Sequence, residues 1–402
     1  SESGALQVSQ SRFAACRDNS HDSNEWIVPI SYVTSQDPSN VKTFLLREKR
    51  ATLLSSQDLS ALDWIKVNAG QSGLYRVLYT RELYSKLGSA ISQNILHGTD
   101  RLGVLMDVMA LSRAGYLETT KALEVLSFFH QETEYTCLAD VVSSLEELRE
   151  IFTPPGNDIM SGHFDRFSQD LLNTAGLKLG WVPVNDEQHV ISLARTLVLT
   201  ALGNSSHQET VTYALERFRE YLKNPESVPA DLRIPVYFSA VKFGDRFEFD
   251  AILNLYRTTS LNEEKIRCIR ALGKTSSTTR LQEALDWGWS EVKPQDLVFV
   301  VHAVASNPAG QELAWDFVTK NWLSLVDRYG RGNFLLTRFV EYSTKGFCAP
   351  EDVDRVEKFF SSVSKEGIER TIQQSLEGIR VRASWRQRDS ARVESWMASR
   401  FG

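Results

Sequence analysis

The chain has 402 residues, which is more than one compact core usually holds, so we expect at least two domains. Apolar residues make up 42% of it and charged residues 24%, which excludes a wholly disordered or collagen-like protein. The formal net charge of −6 disfavours a protein built to grip nucleic acid, because such proteins need a clear positive excess.

The first residues and the cysteines bear on where the protein resides. Nothing before Gln10 has the charged and apolar regions of a signal peptide, and no window of about 18 residues is apolar enough to span a membrane. The sequence starts at a serine, so we expect a processed chain or a piece of a longer one. The cysteines are widely scattered, which favours free thiols and a cytoplasmic location; they are Cys16, Cys137, Cys268 and Cys348.

Residues 1–90 are rich in short runs of β-forming residues. The predicted strands are residues 26–34, 42–46, 51–54, 64–68 and 74–79. A Gly-containing loop joins the last two runs, and this arrangement predicts a β-hairpin. About six short strands in such a length are typical of a small β-sandwich. We therefore predict a β-sandwich linker domain over residues 1–90.

Residues 91–402 show helical periodicity in nearly every window, interrupted by Gly and Pro. The predicted helices are residues 101–113, 119–130, 138–152, 187–201, 208–222, 230–242, 261–272, 293–305, 310–326, 333–343, 351–362 and 368–398. About a dozen helices joined by short turns predict stacked helical hairpins. No tetratricopeptide or ankyrin signature is visible, so the prediction is a HEAT- or armadillo-like superhelix forming a C-terminal α-helical domain.

The search for catalytic and metal-binding motifs is mostly negative. No two of the seven histidines are four residues apart, so the H-E-x-x-H zinc motif is absent. Phosphate-binding Gly-rich loops and the G-x-S-x-G nucleophile motif are absent too. Adjacent acids such as Glu146 and Glu147 are typical of a solvated helix face. We predict no catalytic and no metal-ligating residue in this chain.

Basic residues allow two interpretations. The last predicted helix carries Arg380, Arg382, Arg386, Arg388 and Arg392, which spread over more than one face. They can serve solubility and form exposed ion pairs. Alternatively, some Arg and Lys side chains line a concave surface of the superhelix and hold a peptide carboxylate.

Several segments resemble one protein family over essentially the whole chain. Residues 26–31 and 64–79 resemble the β-sandwich that follows the catalytic domain in the aminopeptidase N family of zinc aminopeptidases. Later segments follow in the family's order: Asp100-Arg101-Leu102, residues 231–237, Ala314-Trp315-Asp316-Phe317-Val318 and residues 369–374. Within the family, residues 179–181 and 369–374 are most similar to the puromycin-sensitive aminopeptidases, which are cytoplasmic.

The family's catalytic motifs are missing from this sequence. Its catalytic domain supplies H-E-x-x-H, a downstream Glu, a G-x-M-E-N segment and a tyrosine, and no such set occurs here. The resemblance therefore implies a non-catalytic C-terminal half, inactive alone and without a cofactor of its own. In the full-length parent, zinc would activate water to remove N-terminal amino acids from peptides.

The resemblance also implies partners and site residues. In the family the helical domain caps the active site and contributes to peptide binding, so the expected partners are peptides and the parent's catalytic domain, with no nucleic acid and no membrane. The candidate peptide-binding residues are Arg149, Lys274 and Arg338. For Arg149 and Lys274 a solvated helix position remains the alternative. The alternative function is a stand-alone helical-repeat scaffold for protein–protein interaction.

Overall fold

The computed structural model describes residues 4–15 and 24–402. It begins with five strands: β1 (Leu6–Ser9), β2 (Val28–Thr34), β3 (Asp37–Leu46), β4 (Arg50–Leu54) and β5 (Ile65–Val67). They form two small antiparallel sheets. One pairs β1 with β4, and the other has the order β3-β2-β5.

Four predicted strands are confirmed, and the predicted hairpin is wrong. Residues 26–34, 42–46, 51–54 and 64–68 correspond to β2, β3, β4 and β5. β5 pairs with β2 instead of with residues 74–79, which form no strand. The physical reason is Asn68, whose φ of 60° turns the chain away and whose side chain bonds the backbone of Gly73.

Eighteen helices make up most of the described chain. They are α1 (Ser56–Ser60), α2 (Arg81–Ser92), α3 (Gly98–Ala114), α4 (Thr119–Ser127), α5 (Tyr135–Phe152), α6 (Asp158–Leu179), α7 (His189–Asn204), α8 (Gln208–Lys223), α9 (Arg233–Phe243), α10 (Arg246–Thr258), α11 (Asn262–Leu272), α12 (Thr278–Glu291), α13 (Pro294–Ala305), α14 (Gln311–Lys320), α15 (Trp322–Tyr329), α16 (Phe334–Thr344), α17 (Pro350–Ser361) and α18 (Glu369–Phe401).

The predicted helices are present, with additions. Sequence periodicity did not predict α1, α2, α6, α10 or α12. The region 310–326, predicted as one helix, is divided at Asn321 into α14 and α15. The side-chain amide of Asn321 donates to the Phe317 carbonyl oxygen at 2.8 Å, and this local bond competes with continuation of the helix.

Alternate helices pack into a closed ring. From α5 onward each of them contacts the next, and the last one returns to α5. We call these the ring helices: α5, α7, α9, α11, α13, α16 and α18. The helices between them in sequence flank the ring, because each hairpin buries its apolar stripe against its neighbours.

The ring closes through α18, which contributes to both hydrophobic cores. Its C-terminal half places Trp385 and Met397 in a core shared with the sheets and α2–α7. Its N-terminal half places Ile372 and Ile379 in a second core, with α8–α17. The first core includes side chains on both sides of residue 90, and a domain boundary there stays a prediction.

A buried polar network fixes α18 against α4. The Trp385 indole N–H donates to the Thr119 hydroxyl at 2.7 Å, and that hydroxyl lies 2.6 Å from a carboxylate oxygen of Asp389. Asp389 is buried, and Arg388 bonds both Asp389 and the Ser112 carbonyl oxygen. The network therefore fixes a single packing position for α18 against the helices at the start of the array.

Replacing Asp389 tests this network. We expect Asp389→Ala to lower the free energy of unfolding by about 2–4 kcal/mol, because it leaves Thr119 and Arg388 without their acceptor. Urea unfolding followed by circular dichroism measures the change. Glu394→Ala, at an exposed position of the same helix, is the control and should stay within about 0.5 kcal/mol of the parent. Equal effects of the two variants would contradict the assignment.

Candidate functional site

Basic side chains lie at the C-terminal ends of several ring helices. Arg149 is in the last turn of α5, Lys242 in that of α9 and His302 in that of α13. Lys274 follows α11 by two residues, and Lys345 follows α16 directly. A cation is favourable at a helix C-terminus because the last carbonyl groups there lack helical partners.

These side chains form a group that we call the basic cluster, consisting of Lys242, Arg270, Lys274, His302 and Lys345. Burial lowers the pKa of His302 to about 4, and the charges of Lys345, Arg270 and Lys274 act in the same direction. The imidazole also lies against Tyr342, with ring centroids 4.3 Å apart. At neutral pH His302 is therefore uncharged, and the positive charge of the cluster resides on its Lys and Arg side chains.

Lys242 and Lys274, both half-buried, differ in their contacts. Burial lowers the pKa of Lys242 to about 8, and its ammonium donates to the Asn204 carbonyl oxygen. Burial also lowers the pKa of Lys274, whose ammonium lies 5.0 Å from the centre of the Phe238 ring. Within residues 4–15 and 24–402, no carboxylate forms an ion pair with Lys274. Lys274 thus has no carboxylate partner among the described residues.

Two carboxylates of α5 face the cluster from across the ring. The negative charge of Glu146 favours the charged form of Lys274. Glu150 interacts electrostatically with Lys345 and Arg382. Burial raises the pKa of Glu150, whereas Lys345 and Arg382 oppose the rise. Since α5 and α11 are not neighbours in the ring, these interactions reach across its interior. The charges of α5 and of the cluster therefore interact although their helices are not neighbours in the ring.

The structure brings two of the three predicted residues together. Arg149 and Lys274 both lie close enough to Lys242 to lower its pKa. Arg149 is itself neutralised, with a nitrogen 2.5 Å from a carboxylate oxygen of Asp165. Arg338 lies apart, half-exposed and 2.7 Å from Glu341 on the same helix. It stands two turns before Lys345 on one face of α16.

Sequence reasoning missed Lys242, Arg270, His302 and Lys345. A usable signal was present, because each lies in the last turn of a predicted helix or just beyond it: residues 230–242, 261–272, 293–305 and 333–343. What the pattern could not show is that these ends meet. That depends on which helices are neighbours in the ring.

The described residues offer little metal or thiol chemistry. Among them no three His, Cys, Asp or Glu side chains are grouped as a metal site, so they do not fit a zinc ion and no step through zinc is assigned to this chain. Cys137 and Cys268 are free and buried, and burial raises the pKa of each thiol to about 12. Cys348 is also free, whereas Cys16 lies outside the described residues.

No helix within residues 4–15 and 24–402 combines the length and the apolarity needed to cross a bilayer.

The titration of His302 tests the electrostatics of the cluster. We expect its imidazole to titrate near pH 4, and Lys345→Met to raise that pKa because a like charge is removed. NMR of the imidazole protons measures the titration, with the signal assigned from a His302→Gln spectrum. Lys320→Met, on α14, is the control and should leave the titration unchanged. An ordinary pKa near 6.5 in the unmodified chain would contradict the placement of His302.

Comparison with known proteins gives one family. The family model described as "ERAP1-like C-terminal domain" matches residues 64–381. Aminopeptidase M1-A of Oryza sativa subsp. japonica is 32% identical over 396 residues, which cover 95% of this chain and 44% of the relative. Aminopeptidase M1 of Arabidopsis thaliana is 31% identical over 400 residues, with shares of 95% and 45%.

A yeast relative shows the same proportions at lower identity. The alanine/arginine aminopeptidase of Saccharomyces cerevisiae is 26% identical over 394 residues, covering 98% of this chain and 45% of the relative. The chain thus spans less than half the length of these curated relatives.

Proposed function

The chain belongs to the ERAP1-like C-terminal domain family, and on that basis we propose that it is the non-catalytic C-terminal half of a puromycin-sensitive-like zinc aminopeptidase. The resemblance to the aminopeptidase N family is confirmed by the family match and by relatives that carry the name aminopeptidase. In this proposal the full-length parent uses zinc to remove N-terminal amino acids from peptides. This chain caps the active site and contributes to peptide binding.

The basic cluster is the observation that carries the peptide-binding part. Lys274 and Lys345 form no ion pair within the described residues, and a peptide carboxylate is a chemically suitable counterion for them. Arg149, Lys274 and Arg338 are the proposed contacts, and the charges of the first two both act on Lys242. Arg149 keeps its place through Asp165, while Lys274 has its charge available for a ligand.

The proposal extends to the shape of the helical region and to location. We propose a HEAT- or armadillo-like superhelix, supported by the alternation of ring and flanking helices. Such a layer of parallel helix ends suits an extended peptide, because it can contact the ligand at several points. A cytoplasmic parent is proposed from the free thiols of Cys137, Cys268 and Cys348.

Calorimetry with one peptide in two forms tests carboxylate recognition. We expect the free-acid peptide to bind this chain more tightly than its C-terminally amidated form. Lys274→Met should weaken binding of the free acid by about tenfold, because a charge-assisted contact is lost. Lys320→Met is the matched control, since Lys320 is exposed and lies on a flanking helix. Equal affinities for acid and amide would contradict the proposed role of the cluster.

Activity assays test whether this chain is inactive without the rest of the parent protein. We expect the purified chain to hydrolyse no aminoacyl fluorogenic substrate and to contain no stoichiometric zinc. Zinc-dependent turnover by this chain would overturn the proposal. Recovery of the full-length transcript separates the two functions under consideration: an upstream H-E-x-x-H reading frame supports the aminopeptidase, and its absence supports a stand-alone helical scaffold.

A further inference from the structure

The segment between the sheets and the helices is strand-like but pairs with no strand of the described chain. Along residues 72–80, every second side chain is exposed and the intervening ones are half-buried or buried. Alternation with period two is the mark of an extended backbone. No strand in the described part of the chain pairs with this segment. The sequence there is rich in β-formers, which explains why it resembles a hairpin strand.

The inward side of this segment is firmly held. The Tyr79 hydroxyl accepts from the Val67 backbone N–H at 2.9 Å, and the Val77 N–H donates to Asp107 at 3.0 Å. The Asn68 side-chain amide donates to the Tyr75 carbonyl oxygen at 3.2 Å. The outward side chains therefore project from a fixed backbone.

The outward side forms an apolar surface that we call the junction patch, defined by Phe13, Leu74, Arg76, Leu78 and Met106. Leu74 is fully exposed at 107%, while Leu78, Met106 and Phe13 are 51%, 48% and 40% exposed. After its first turn, α3 exposes no residue except Met106. Exposed apolar side chains gathered in this way are typical of protein interaction sites.

Arg76 joins the parts of the junction patch. Its guanidinium carbon lies 5.1 Å from the centre of the Phe13 ring, and one of its nitrogens lies 3.4 Å from the Met106 carbonyl oxygen. The same nitrogen lies 3.4 Å from Asp107. The charge of Arg76 is thus matched within the chain, so the surface offered to a partner is mainly apolar.

We propose that the junction patch is the docking surface for the part of the parent polypeptide that this chain lacks; this rests on the proposed function. The chain covers 44% of the rice relative, so more than half of such a protein lies outside this chain and needs a surface to pack against. A covalently linked partner has a high effective concentration, so a patch of this modest size suffices to hold it. The junction patch also lies where the sheets meet the helices, so a domain that docks there contacts both.

Hydrogen exchange of this chain and of the full-length parent tests the proposal. We expect the amides of residues 72–80 to exchange at least about tenfold more slowly in the parent, because docking covers them. Leu74→Asp should abolish most of that protection. Leu323→Asp, at a leucine of α15 that is 78% exposed, is the control and should not change it. Both variants should unfold like the unmodified chain when the 402-residue chain is studied alone.

Each outcome has one meaning. Unchanged exchange of residues 72–80 in the parent would overturn the docking surface. Protection that appears in the isolated chain and grows with its concentration would assign the patch to a second copy and also overturn the proposal. Aminopeptidase turnover by the parent is measured in parallel. An inactive parent with protected amides rejects the proposed function alone, and an active parent without protection rejects the docking surface alone.

Discussion

The seating of α18 is the constraint on which the rest of the helical array depends. The other ring helices follow one another along the chain, so each can pack on a neighbour that is close in sequence. Only α18 must return to the start of the array, where its Trp385 meets Thr119 and its Asp389 is buried. Because the same helix also fills the second core, the two cores share one structural support.

The electrostatics of the basic cluster follow from this closure. Arg382 of α18 donates to the carbonyl oxygens of Phe347 and Thr344, which flank Lys345. The contact fixes the turn after α16 and brings Lys345 near Glu150 of α5. A displacement of α18 would therefore change the charges around His302 without touching any residue of the cluster.

The sequence contained much of the fold because the responsible signals are local. β-forming runs predicted β2, β3, β4 and β5, and apolar periodicity predicted most helices. The hairpin failed because the side-chain bonds of Asn68 decide the chain direction there, and those bonds depend on the folded loop. α6 was missed although Phe164, Phe167 and Leu171 have helical spacing, because its Gly residues lower helix propensity.

The candidate site was less predictable than the fold. Lys274 was named from its position in the sequence, yet its surroundings depend on Glu146, 128 residues earlier in the numbering. The packing of the ring decides which of the basic residues lack a carboxylate partner. Arg149 pairs with Asp165 on the next helix, which no local pattern predicts, whereas the i,i+3 spacing of Arg338 and Glu341 is a local signal.

The distance in sequence between Thr119 and Trp385 also determines how long the ribosome takes to make the second residue after the first. The two residues are 266 positions apart. At translation rates of about 5–20 residues per second, Thr119 leaves the ribosome's catalytic centre about 15–50 seconds before its partner is made. During that interval the apolar seat of α18 is exposed while the intervening helices are still being added. The nascent chain thus presents a long-lived hydrophobic groove, the kind of surface that molecular chaperones bind.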